Sequence, residues 1–265
     1  MSDVLNIPTV KSAERVLEVL TLLAQHTRPV PTMTIARECA IPKSSAHQLL
    51  NVMRARNFVT YYESERAWGL GVASFEIGAA YLRSGPLQRL GRPLLSKLTQ
   101  QTGDASHLAI LHGTEVLYID KEEASGPAPK LVTEVGVRLP AHLTAVGRAI
   151  LAELAEAQVR ALYAHRPLVR RTGRGPASVG ELLRQLAEIR GRGFSHEDQM
   201  VTPGIACVAA PVFSHEGVPA AAVGVTYVSA QRDASDLDEL VAAVQTMAAR
   251  LSINLGYQAT VGRSA

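Results

Sequence analysis

A chain of 265 residues, 47% hydrophobic and 19% charged, holds enough apolar material for one large or two ordinary domains with cores of their own. A net charge of +3 is too mild to single out a partner, so where the charges sit matters more than their sum. Two cysteines, Cys39 and Cys207, argue against a disulfide framework; MSDVLNIPTVKS does not read as a signal peptide, and no apolar run approaches the ~20 residues that span a bilayer.

From Ser12 to Gln25, apolar residues recur at Ala13, Val16, Leu17, Leu20, Leu23 and Ala24, one face of a helix with Ser12 as candidate N-cap. Pro29 and Pro31 end it, because proline lacks the N–H that a helix interior needs. A short helix is expected over Thr34–Cys39, then a tight turn at AIP, then a third helix from about Ser44 to Arg56. FVTYYESERAWGL joins strand-forming residues around a polar centre and predicts a hairpin. Helical runs follow over Val72–Leu82 and Leu87–Gln101, interrupted at SGP. The expected domains are residues 1–84, a head with its linker helix, and 85–265.

The second part alternates strand and helix signals. SHLAILHGTEVLYID reads as two strands joined at His112–Thr114. Helices are expected over Thr144–Leu154 and Ser178–Arg190, the latter opened by a capping-box spacing of Ser178 and Glu181. IACVAAPVF and VPAAAVGVTYV are nearly all apolar, as strands covered on both faces are. A last helix runs from Ser235 to about Leu255. The class is α+β. The basic stretch RPLVRRTGRG carries no aromatic or helical order and reads as a solvated loop.

The third helix carries the clearest functional signal. At about 100° per residue, Ala46, Leu49, Leu50 and Met53 share a face and point to a core. Opposite lie Ser44, Gln48, Asn51 and Ala55, with His47 and Arg54 on one flank and Ser45 on the other. Glutamine and asparagine pair bidentately with adenine, serine tolerates several bases, and Lys43, Arg54 and the helix N-terminus suit phosphates. No Asp or Glu occurs between Glu38 and Glu63, as phosphate repulsion would require. Helix, tight turn, helix and hairpin make a winged helix-turn-helix, with Arg66 in the wing available to DNA and two acids beside it weakening that role.

SAERVLEVLTLLA, IPKSSAHQLLNVMRARNFV followed by WGLG, LPAHLTAVGRAIL, IRGRGFSHED and PGIACVAAPVF, in that order and over nearly the whole chain, resemble the isocitrate lyase regulator (IclR) family of bacterial transcriptional regulators. The resemblance implies an N-terminal winged helix-turn-helix domain, a linker helix and a C-terminal GAF-like effector-binding domain. It implies a cytoplasmic homodimer or homotetramer on double-stranded operator DNA, repressing or activating in response to a small organic or aromatic acid, with no cofactor, no metal and no catalysis. The implied effector residues are Ala145 and Val146 at a helix start, Glu197 and Cys207 in and after HEDQMVTPGIAC, and Gly224 and Thr226 in the last strand. Chemistry agrees in part: free N–H groups at a helix start hold a carboxylate, Thr226 offers a hydroxyl and Cys207 a weak S–H.

The chain also departs from the pattern. Gly224 stands where members with small-acid effectors tend to carry serine, which predicts a lost donor and an enlarged pocket. Gln48 replaces a frequent arginine, Arg148 a lysine, and Ala40 the turn glycine that would ease a positive φ. The acidic pair is displaced to Glu197–Asp198, and either could reach the pocket. Two rivals stand beside the regulator. One is a thiol enzyme built on Cys207, for which no motif places a histidine. The other is an interaction module without DNA binding, against which the acid-free helix argues. His107, His112 and His142 lack metal-ligand spacing.

Overall fold

The computed structural model describes residues 10–124 and 132–258, and the chain divides into two compact units between Arg83 and Ser84. In the first unit, α1 (Lys11–Gln25), β1 (Val30–Pro31), α2 (Thr32–Glu38) and α3 (Lys43–Ala55) precede a hairpin of β2 (Val59–Tyr62) and β3 (Ala67–Leu70). Val19, Leu23, Ile35, Leu50, Met53 and Trp68 close a core among them. This is a winged helix-turn-helix. Ser12 is not the N-cap of α1: the chain turns helical one residue earlier, the extended residue before it is Val10, and no side chain caps the end. Val30–Pro31 does more than stop a helix; it pairs with β3 as an edge strand, the place in a sheet where proline is tolerated. The α2–α3 turn closes although Ala40 sits at φ +50, and its neighbour Ile41 donates its N–H to Ala36 O at 2.8 Å.

The linker helix α4 (Val72–Ser84) follows, and α5 (Pro86–Thr102) opens the second unit. Here six antiparallel strands lie in the order β6-β5-β4-β9-β8-β7. They are β4 (Ala105–His112), β5 (Glu115–Glu122), β6 (Arg138–Pro140), β7 (Ser195–Asp198), β8 (Ile205–Phe213) and β9 (Pro219–Val228). Alternation splits the central strands into two cores. Leu108, Val208, Val223 and Val225 pack with α5 and α9 (Ala234–Asn254). Ala109, Cys207, Ala209 and Ala222 pack with α6 (Ala145–Ala152), α7 (Glu156–Tyr163) and α8 (Val179–Arg192). Both faces of the sheet are covered, which is why these strands are apolar throughout.

Helix ends follow side-chain chemistry. Ser178 caps α8 by accepting from Glu181 N, but the Glu181 carboxylate bonds Ala177 N instead of reaching back to Ser178, so the box is half made. The basic stretch is not simply solvated. Val169 O accepts from His142 Nε2, Thr172 Oγ1 donates to Gln199 O and Arg174 pairs with Asp198, so this loop braces the segment after β7.

Candidate nucleic-acid interface and ligand pocket

α3 buries Ala46, Leu50 and Met53 and half-buries Leu49. That fixes its roll and leaves Lys43, Ser44, His47, Gln48, Asn51 and Arg54 exposed, with Ser45 half-buried at the edge. Extended Pro42 precedes the helix and no side chain caps it. Ala46 N bonds Pro42 O, so the amides of Lys43, Ser44 and Ser45 precede the first helical bond and are free for a phosphate. Asn51 Nδ2 lies 2.9 Å from His47 Nδ1. Val52, 62% exposed, stands beside Gln48 on the wheel. A single exposed valine carries no functional signal in a sequence. Arg66 is exposed in the hairpin turn at φ +49, between Glu65 and the strand.

In the second unit, Thr144 caps α6: its Oγ1 accepts from Gly147 N at 3.1 Å and its carbonyl from Arg148 N at 3.0 Å. The N–H groups of Ala145 and Val146 are therefore left without intrahelical partners. Gly147 is required, because a Cβ there would lie 2.3 Å from Ala141 O. Strand register sets the opposite side. Glu197 pairs with Cys207 and Cys207 with Thr226, so three side chains stand in one row across β7, β8 and β9. Together with Tyr118, Thr133, Thr144 and Ala145 they line a cavity whose remaining wall is Val132, Leu139, Val201, Thr202 and Ile205.

The polar groups of this wall are unevenly satisfied. Thr133 Oγ1 is buried and has no hydrogen-bond partner. Glu197 is 4% exposed, and its Oε2 accepts from Met200 N at 2.9 Å. Burial pushes its carboxyl up to about 7, against the pull of the Met200 N–H and the Arg148 charge. Arg148 is also buried; its two terminal nitrogens donate to Gln185 Oε1 (2.9 Å), His196 O and Met200 Sδ (both 3.5 Å), and its Nε is buried without a partner. Asp198 points elsewhere: its carboxylate accepts from Ser229 Oγ at 2.8 Å and pairs with Arg174. Of the two acids, Glu197 is the one in the wall.

Two of the expected pocket residues sit differently. Gly224 lies opposite His107 on β4, and a Cβ on it would come within 2.8 Å of His107 Nε2 and 2.9 Å of Val146 Cγ1. The room left by the glycine is thus filled by His107 and Val146, and the cavity is not enlarged by it. The side chain of Val146 packs in this layer behind the wall; its backbone N–H remains at the helix end. His107 is fully buried, approaches Cys207 Sγ at 3.7 Å, and is held neutral by desolvation, with its pKa lowered to about 3. Nothing in the sequence flagged His107, Tyr118 or Thr133 as neighbours of the site, because they come from separate strands and loops. The Cys207 thiol is pushed well up by burial and by Glu197, the reverse of an activated nucleophile. Among the described residues no group of three His, Cys, Asp or Glu could hold a metal; His112 meets Arg138 and His142 meets Val169 O. No helix among them is long and apolar enough to cross a membrane.

Two family descriptions match the chain: the IclR helix-turn-helix domain over residues 12–62 and the bacterial transcriptional regulator IclR C-terminal domain over residues 79–253. The HTH-type transcriptional regulator XynR of Escherichia coli K12 is 29% identical over 252 residues, covering 95% of this chain and all of the relative. A solved IclR transcriptional regulator from Alicyclobacillus acidocaldarius superposes with a TM-score of 0.84 at 25% identity, covering 94% of this chain and 100% of the other. An IclR homologue from Microbacterium hydrocarbonoxydans, solved with 4-hydroxybenzoate, shares the fold with a TM-score of 0.80 at 23% identity, over 92% and 98% of the two chains.

Proposed function

We propose, on the premise that this chain belongs to the IclR family of bacterial transcriptional regulators, that α3 reads operator DNA through Ser44, Gln48 and Asn51 and that an acid in the pocket beside α6 adjusts this binding. The chain is a DNA-binding regulator with a C-terminal effector domain. The observation that carries the residue assignment is the outward, acid-free face of α3, whose opposite face is locked into the core. Gln48 and Asn51 supply bidentate base contacts. Lys43, His47, Arg54 and the free amides at the helix start hold phosphates, with Ser45 at the groove edge and Arg66 on the wing.

The effector's carboxylate docks on the N–H groups of Ala145 and Val146, with the Glu197–Cys207–Thr226 row facing its other end; Gly224 acts indirectly, by admitting His107. Helix-turn-helix readers commonly act as dimers on half-sites one helical turn apart. A homodimer or homotetramer is supported here by α4, which exposes Val72, Phe75 and Ile77 at 59%, 74% and 60%. The effector shifts operator affinity by its different affinity for two arrangements of the chain, and by no more than that difference. The test is fluorescence anisotropy at fixed salt on DNA enriched from a random pool, with and without acids that raise the melting temperature. The expected result is sequence-dependent binding that a stabilising acid changes. Equal affinity for every sequence, unaltered by any such acid, contradicts the reading.

A further inference from the structure

Among the described residues the cavity wall contains one carboxyl, Glu197, and no lysine, arginine or histidine. A carboxylate ligand placed there meets a buried acid with no cation among the described wall residues to offset it; the Arg148 charge, outside the wall, pulls on Glu197 without overcoming its burial. The groups that face Glu197 do not supply one. Arg148, from α6, is turned onto Gln185, His196 O and Met200; Tyr118 from β5 and Cys207 from β8 are neutral; Asp198, on the same strand, is committed to Ser229 and Arg174. The wall does offer donors. Ala145 and Val146 have free N–H groups, and the Thr133 hydroxyl, 7% exposed, has no partner.

We propose that this pocket takes up a carboxylate only together with a proton, which Glu197 holds. This rests on the acid-effector reading above. The ligand's carboxylate accepts from the α6 amides, and Glu197, as the neutral acid, donates its O–H to the ligand while its second oxygen keeps the Met200 N–H. The proton comes from solvent, and no covalent bond changes. Two like charges in one buried site raise the affinity for a shared proton, and the empty pocket is already close to that state, since burial, against the pull of the Met200 N–H and the Arg148 charge, raises Glu197 to about 7. The regulator would then sense its acid more strongly as the pH falls.

The test is isothermal titration of the full chain with pyruvate and with 4-hydroxybenzoate, at pH 6 and pH 8, each in two buffers of different ionisation enthalpy. The expected affinity is about tenfold weaker at pH 8, with uptake approaching one proton per ligand there. Glu197→Gln, which keeps a neutral donor, is expected to bind with the same affinity at both pH values. Equal wild-type affinity at both pH values, with no buffer dependence of the heat, overturns proton uptake and leaves the acid reading intact. Binding of neither acid at either pH overturns the acid reading and this proposal together. The buffer comparison uses the wild-type protein and stands even if the variant fails to fold.

Discussion

Asn51 Nδ2 lies 2.9 Å from His47 Nδ1, one helical turn away on the exposed face of α3. His47, accepting this bond at Nδ1, fixes the amide's orientation. It leaves Asn51 Oδ1 and the second N–H free, the acceptor–donor pair that adenine N6 and N7 require. Asn51→Ala is therefore expected to cost about 1–3 kcal/mol at one base pair. His47→Ala should flatten preference at that same pair, and the double variant should lose no more there than Asn51→Ala alone. Competition binding with single-base operator variants at constant salt checks this; independent, additive losses contradict it.

Glu197 and His107 give opposed pH dependence to stability. Glu197 has its folded pKa raised to about 7 from 4.5, so the folded state binds the extra proton and stability falls as pH rises between those values. Replacing it by glutamine removes that loss. Glu197→Gln should match the wild type near pH 4.5 and exceed it by about 3 kcal/mol above pH 7. His107, lowered to about 3 from 6.5, contributes stability that is complete above pH 6.5 and lost as pH falls toward 3. In Glu197→Gln this slope should emerge between pH 4.5 and 6.5, where the wild type masks it. Urea unfolding across pH 4.5–8 measures both; a pH-independent difference between the proteins contradicts the assignment.

Gly224 and His107 should behave as one unit. The Cβ of Gly224→Ala would fall 2.8 Å from His107 Nε2 and 2.9 Å from Val146 Cγ1. Overpacking of this kind costs about 1–3 kcal/mol. With His107→Ala in the same chain the cost should shrink, giving a double-mutant coupling of about 1 kcal/mol or more in denaturant unfolding. Additive effects would mean that the two residues do not share this space.

Ala40 holds a left-handed conformation at φ +50 in the α2–α3 turn. A side chain there costs about 1–2 kcal/mol, part of which glycine returns as entropy in the unfolded chain. Ala40→Gly should raise the stability of the head by about 0.5–1 kcal/mol without moving operator preference. Destabilisation on thermal or urea unfolding would show that the alanine methyl is packed rather than strained.

Where one helix face alone is buried, the sequence was legible. Periodicity assigned α1, α3, α8 and α9 within a residue or two, and Ala46, Leu50 and Met53 fixed the roll of α3. Local chemistry alone misled at Ser12, because a good capping residue does not cap when the chain turns helical before it. The short strands β1, β6 and β7 and the helix α7 carried no periodicity long enough to read; partners in the sheet and in α8 define them. The pocket was legible only as separate pieces. Spacing says nothing of the register that places Glu197, Cys207 and Thr226 in a row, nor of His107 entering the space at Gly224.

The most direct test of the account is enrichment of DNA from a random-sequence pool by the wild type, by Gln48→Ala and by Asn51→Ala, at one salt concentration. The wild type should enrich a defined site. Each variant should lose information at one base pair while still binding DNA non-specifically, since the phosphate contacts of Lys43 and Arg54 remain. If both variants enrich the wild-type site unchanged, the outward face of α3 does not read the operator and the account fails.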